Sequence, residues 1–161
     1  MKSDQKEFLK ILSAYQNIIH KVNQIYFKSE IDREDNFQEV VYQLWRSFHS
    51  LHNKKNPASW IYAVAINTSI SKVRKDKYIE FCDSVPEAET DFPYEQQEQN
   101  EDYERLLDVL YKLNEIDRSV MLLYMENYSY KEIAEIVGMS STHIGVKIHR
   151  LKSQLQKQLK K

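Results

Sequence analysis

Only two glycines and three prolines occur in 161 residues. Tight turns and hairpins draw heavily on both residue types, so a β-rich fold is excluded. The abundance of Leu, Ile, Lys, Glu and Gln points instead to helices. No apolar run approaches a membrane span. The charged first ten residues lack the apolar core of a secretory signal. One cysteine, Cys82, permits no internal disulfide and no cysteine-rich zinc site. The expectation is a cytoplasmic, all-α protein.

The net charge of −1 conceals a segregation. Residues 1–80 carry 13 cations and 9 acids, a net of +4. Residues 81–104 carry 9 acids and no cation. Residues 105–161 carry 10 cations and 6 acids, again +4. Electrostatic fields act locally, so a near-neutral total does not oppose nucleic-acid binding. The acidic stretch holds two of the three prolines and has no helical period. Like charges repel and extend such a segment, which reads as a linker between two small helical domains. A surface loop of that length would be unusual inside one compact domain.

In the N-terminal block, Phe8, Leu9, Ile11, Leu12, Tyr15, Ile18, Ile19, Val22 and Ile25 recur at helical spacing, predicting a helix over about residues 4–27. Asp32 is the expected N-cap of the next helix. That helix carries the apolar stripe Phe37, Val40, Val41, Leu44, Trp45 and Phe48. Its opposite face holds Asp35, Glu39, Tyr42, Gln43 and Arg46, either a solvated face or a partner surface. A polar, basic loop over residues 52–56 follows. Asn56-Pro57 then starts a third helix, with Asn at the cap and Pro at the first position. This helix is apolar nearly all round through Ile66. From Asn67 it turns basic, with Ser71, Lys72, Arg74, Lys75 and Lys77. Cations at a helix end suit the dipole. So many cations, amides and hydroxyls together also suit phosphate and base-edge contacts.

The C-terminal block has the most specific local signal. Ser129-Tyr-Lys-Glu132 reads as a capping box, Gly138 as the C′ residue of a short helix, and Ser140 or Ser141 as the start of a longer one. A short helix, a glycine turn and a longer helix make a helix-turn-helix. From Gly138 onward there are six cations and no acid. Opposite the inward Ile144, Ile148, Leu151 and Leu155 lie Ser141, Thr142, His143, Val146, His149, Arg150 and Ser153. Thr142, His143, Val146 and Arg150 are the candidate base readers, with Val146 suited to a thymine methyl. Lys147 and Lys152 suit phosphates. Two preceding helices, about residues 101–113 and 116–127, would support the motif.

Catalytic patterns are missing. His49-x-x-His52 has no further ligand nearby and reads as a helix-end surface pair. There is no Gly-rich phosphate loop and no nucleophile elbow. No catalytic residue, metal site or cofactor is expected.

The segment Asp32-Arg-Glu-Asp-Asn-Phe-Gln-Glu-Val-Val-Tyr-Gln-Leu-Trp-Arg46 resembles the polymerase-binding part of region 2 in the extracytoplasmic-function sigma factors. Pro57-Ala-Ser-Trp-Ile-Tyr-Ala-Val-Ala-Ile-Asn67, continuing to Lys75, resembles the part that melts and reads the minus-ten element. Residues 113–155 resemble region 4, which reads the minus-thirty-five element. The resemblance implies a region 2 domain over 1–80, a linker over 81–104 and a region 4 domain over 105–161. It assigns core-polymerase binding to Asp35, Glu39, Tyr42, Gln43 and Arg46. It assigns minus-ten contacts to Asn53, Asn56, Asn67, Ser71, Lys72, Arg74 and Lys75, and minus-thirty-five contacts to Ser141, Thr142, His143, Val146, Lys147, Arg150 and Lys152. The implied partners are the largest subunits of core RNA polymerase, promoter DNA and a cognate anti-sigma factor, which can be membrane-bound; no small-molecule substrate is implied. In that family the linker threads a basic polymerase channel, where its acids would mimic nucleic acid; a plain tether is the simpler reading. The sequence departs from the family pattern at Ser71, where Asp is common, and at Gly145 and Val146, where a cation and Ser are common. These departures bear on the promoter sequence rather than on the role. A LuxR-type regulator also carries a helix-turn-helix like residues 132–138, but its receiver domain needs βα alternation that residues 1–80 lack. A sigma-like protein that does not bind DNA would not need the basic segment over 68–77.

Overall fold

The computed structural model describes residues 2–50, 56–82 and 100–159, in which every regular element is helical. The first unit comprises α1 (Lys2–Tyr26), α2 (Glu30–Ser47), a short 3-10 turn at Phe48–Ser50, and α3 (Pro57–Cys82). The second comprises α4 (Glu101–Tyr111), α5 (Glu115–Met125), α6 (Tyr130–Val137) and α7 (Ser141–Leu159). The stretch expected as linker is helical at 81–82 and 101–104; its residues 83–99 lie outside the described residues. Among the described residues, no helix is long and apolar enough to cross a membrane.

The three helices of the first unit pack mutually. Ile19, Val22, Val40, Leu44, Ile61 and Ala65 are almost fully removed from water at their centre. Phe8 packs edge-on against Trp45 and Phe48 at 5.1 and 5.5 Å, closing one end. The apolar all-round character of the first half of α3 has its reason here, since α3 packs against α1, α2 and the second unit. Asn36 is a polar residue in this interior. Its amide donates to Asn23 Oδ1 at 2.7 Å and to Ser69 Oγ at 2.9 Å, tying α2 to α1 and α3.

The N-cap of α2 corrects the sequence expectation. Ser29, not Asp32, has the extended cap conformation, and its hydroxyl accepts from the Asp32 amide at 3.1 Å. Asp32 falls in the first turn, where its charge still complements the helix dipole. The start of α3 is as expected, with Asn56 Oδ1 accepting from the Ser59 amide.

In the second unit, α5, α6 and α7 pack around Val120, Leu123, Ile133, Ile144, Ile148 and Leu151, and α4 lies along α7. The capping box of α6 is formed by both its bonds, Glu132 N to Ser129 Oγ at 3.1 Å and Ser129 N to Glu132 Oε1 at 3.0 Å. Gly138 ends α6 at φ +77°, a left-handed conformation that glycine adopts without steric cost. Ser140 Oγ then accepts from the His143 amide at 3.2 Å and starts α7. The two units are docked: α1 and α3 lie against α4, α5 and α6.

Candidate nucleic-acid interface

The buried stripe Ile144, Ile148, Leu151 and Leu155 fixes the rotation of α7. Its other side faces solvent, and Ser141, Thr142, His143, Val146, Arg150 and Lys152 are all exposed. Val146 is 66% exposed, the most open of the large apolar side chains described. A single exposed apolar side chain is ordinary by itself; what Val146 adds is a methyl-bearing group on the outward face of a helix that carries no acid, where a thymine methyl could meet it. Farther along α7, His149, Arg150, Ser153, Gln154 and Lys157 are all exposed, so the cationic face continues toward the C-terminus. Gln154 and Lys157 were not singled out from sequence. Their signal was available, since 150, 154 and 157 share one helix face.

Lys147 departs from the expected outward position. Its ammonium lies 2.6 Å from Asp117 Oδ1, and the two side chains are only 13% and 7% exposed. Arg150 Nη2 stands 3.6 Å from the other Asp117 oxygen, yet the arginine remains 64% exposed. One buried carboxylate therefore holds Lys147 and lies beside Arg150 at the root of the exposed face. Asp117 itself reads from sequence as an ordinary first-turn acid. Lys152 is free of this arrangement; its ammonium lies over the Tyr124 ring, 5.0 Å from the centroid.

Asn56, just before α3, and Asn67, Ser71, Arg74 and Lys75 on it are exposed. Lys72 is half-buried with its ammonium 5.5 Å from the centroid of the Phe27 ring. Residues 67–75 thus make one cationic and amide-bearing surface along the second half of the helix. Lys77, next on it, pairs with Glu115 of the second unit at 2.6 Å. Asn53 and the rest of the expected base-capturing loop over 51–55 lie outside the described residues.

A third surface lies on α2. Asp35, Glu39, Tyr42 and Arg46 are exposed, Tyr42 at 56%, and Gln43 is half-buried with its amide donating to Glu39 Oε1 at 3.0 Å. Asn36, Val40 and Leu44 on the opposite side are buried. An exposed tyrosine between acids and an arginine fits a protein partner better than a phosphate backbone. Among the described residues, no group of three or more His, Cys, Asp or Glu side chains is placed to hold a metal.

Comparison with known proteins gives the same two-part division. The family model for sigma-70 region 2 matches residues 11–78, and that for sigma-70 region 4 matches residues 103–155. The RNA polymerase sigma factor YlaC of Bacillus subtilis is 30% identical over 152 residues, covering 78% of this chain and 88% of that protein. The ECF RNA polymerase sigma factor SigW of the same organism is 25% identical, covering 99% and 92%. Among solved structures, the sigma factor RpoE from Bartonella quintana, in complex with the anti-sigma factor NepR, superposes with a TM-score of 0.74 at 22% identity. That superposition covers 99% of this chain and 98% of the other, a likeness of fold.

Proposed function

Because this chain belongs to the extracytoplasmic-function group of sigma-70-type RNA polymerase sigma factors, we propose a division of its exposed surfaces among the steps of initiation. It is a transcription initiation factor that binds core RNA polymerase and promoter DNA. The region 2 match over residues 11–78 supports this function over that of a LuxR-type regulator. Polymerisation chemistry belongs to core enzyme; this chain supplies recognition, and it acts in the cytoplasm, where polymerase and promoters are.

The α2 strip of Asp35, Glu39, Tyr42, Gln43 and Arg46 is the core-binding surface. The α3 surface of Asn67, Ser71, Lys72, Arg74 and Lys75, with Asn53 and Asn56 before it, contacts the minus-ten element. The outward face of α7, with Ser141, Thr142, His143, Val146, Arg150 and Lys152, contacts the minus-thirty-five element. The domains are residues 1–80 and 105–161, with the acidic connector 81–104 between them. A cognate anti-sigma factor is a further partner, a reading supported by the RpoE–NepR complex.

The observation that carries the assignment is α7: a helix without an acid, its apolar side buried and Val146 and Arg150 held outward at 66% and 64% exposure. Footprinting of holoenzyme on a set of minus-thirty-five variants tests it. Val146→Ser and Arg150→Ala should each relax discrimination at one base pair, by about 1–3 kcal/mol for a good direct contact. Uniform weakening across all variants would reduce both residues to backbone contacts.

A further inference from the structure

Gly145 stands inside α7, where glycine is the least favourable residue after proline. The backbone does not ask for it: of the two glycines only Gly138 has a positive φ, and Gly145 is helical. The packing does not ask for it either. A Cβ on Gly145 would meet the Tyr130 ring, at Cδ2 and Cε2, at 3.5 Å, an ordinary van der Waals distance. A glycine that neither backbone nor packing requires leaves room for a group that approaches from outside.

That room lies on the reading face of α7. Thr142 and His149, three before and four after Gly145, are its neighbours on the helix surface, and both are exposed. Val146 follows it at 66% exposure. Tyr130, at the first position of α6, is 44% exposed and brings its ring to the bare position. The backbone polar groups of Gly145 belong to the helix ladder, and no side chain projects from it. The notch is therefore apolar, bounded by a valine and the edge of an aromatic ring. Lys147, two residues on, does not reach across it, because its ammonium is drawn to Asp117 at 2.6 Å.

The occupant follows from the chemistry of the major groove. Guanine, cytosine and adenine present hydrogen-bonding groups there, and an apolar notch offers them nothing. Thymine alone presents a methyl group, at C5. A methyl brought over the Gly145 backbone meets the Tyr130 ring and Val146 together, and α7 carries no acid to repel the strand that bears it.

We propose that Gly145, Val146 and the Tyr130 ring form a methyl-reading notch that selects thymine at one position of the minus-thirty-five element. This rests on the reading of α7 as the helix that contacts that element. It adds the group that is read and a reading residue supplied by α6. Tyr130 acts here through its ring and not through its hydroxyl.

Holoenzyme made from core polymerase and the full chain tests the notch on a promoter fragment mapped by run-off transcription. Each thymine of the minus-thirty-five element is replaced in turn by uracil, which lacks only the methyl. The wild type should bind about 4-fold more weakly at one substituted position, the worth of burying one methyl group. Gly145→Ala should fold with a thermal midpoint at or above wild type, since its Cβ has room and alanine favours the helix. It should nevertheless bind the thymine and uracil fragments alike, because its own methyl takes the notch. Tyr130→Ala should narrow the difference, and Tyr130→Phe should keep it in full. A mapped element without thymine overturns the notch, as does a wild type that distinguishes no thymine from uracil. A difference that survives in both Gly145→Ala and Tyr130→Ala overturns it too. Weaker binding of Tyr130→Phe to all fragments alike would make Tyr130 a phosphate contact instead. Protection of the unmodified element by wild-type holoenzyme, weakened in Arg150→Ala, reads the assignment of α7 separately, so failure of the notch and failure of that assignment are distinguishable.

Discussion

Lys147 and Asp117 form a salt bridge of 2.6 Å between α7 and α5, with both side chains largely out of water. Its position at the root of the DNA-reading helix gives Lys147 a structural task. A buried charge that loses its partner is costly, about 3 kcal/mol or more. Lys147→Ala leaves Asp117 only the 3.6 Å contact to the exposed Arg150, so it should lower the stability of the second domain by about 1–3 kcal/mol in denaturant melts. The salt dependence of promoter binding should stay as it was. Lys152→Ala should do the reverse: stability within about 0.5 kcal/mol of wild type, and a log–log salt slope shallower by about 0.9. A shallower slope for Lys147→Ala without loss of stability would return that lysine to the phosphate backbone.

The α2 surface makes a prediction of a different kind. Glu39 and Arg46 are exposed, so reversing both charges should leave helicity intact and shift stability by no more than about 0.5 kcal/mol. Core association of Glu39→Lys with Arg46→Glu should fall about tenfold, the order expected for losing a close interfacial charge pair. Unchanged affinity in a fluorescence titration with core would remove the assignment of this strip.

The seam between the domains should respond to pH at both ends of the scale. Burial raises the phenol pKa values of Tyr26, Tyr62, Tyr111 and Tyr128 above 10.0. A raised folded value means stability that is complete below pH 10 and is lost as pH rises through the folded values. On the acid side, the hydrogen bond from Lys77 holds the Glu115 carboxyl below its usual 4.5. Its contribution is complete above pH 4.5 and is lost as pH falls through the lowered value. Thermal melts should show both limbs. The acid limb should be smaller in Lys77→Ala, and an acid limb equal to wild type would detach Glu115 from that lysine.

Much of this architecture was written locally in the chain. Ser129, Glu132 and Gly138 mark the ends of α6 because each satisfies or permits a backbone geometry within a few residues. Asn56 and Pro57 mark the start of α3 in the same way. Where two residues of a kind compete, local reading slips: Ser29 and Asp32 both suit a cap, and the structure uses the serine. Interactions between distant residues were not legible. Asp117 and Lys147 are 30 apart in sequence, and Tyr111 lies 87 residues from the Gln24 carbonyl it caps. Asn36 sits in the middle of α2 with no sequence sign that Asn23 and Ser69 would receive its amide. A helical wheel gives the outward side of α7 but cannot foresee a carboxylate arriving from α5.

The measurement that bears most directly on the central claim is run-off transcription with purified core polymerase on genomic fragments, with start sites mapped. The account predicts that core alone starts without preference, and that adding this chain produces discrete starts at fragments sharing one pair of upstream elements. Thr142, His143, Val146 and Arg150 changed together to alanine should abolish those starts while core association is retained. Discrete starts that require a second sigma factor, with none from core plus this chain, would contradict it.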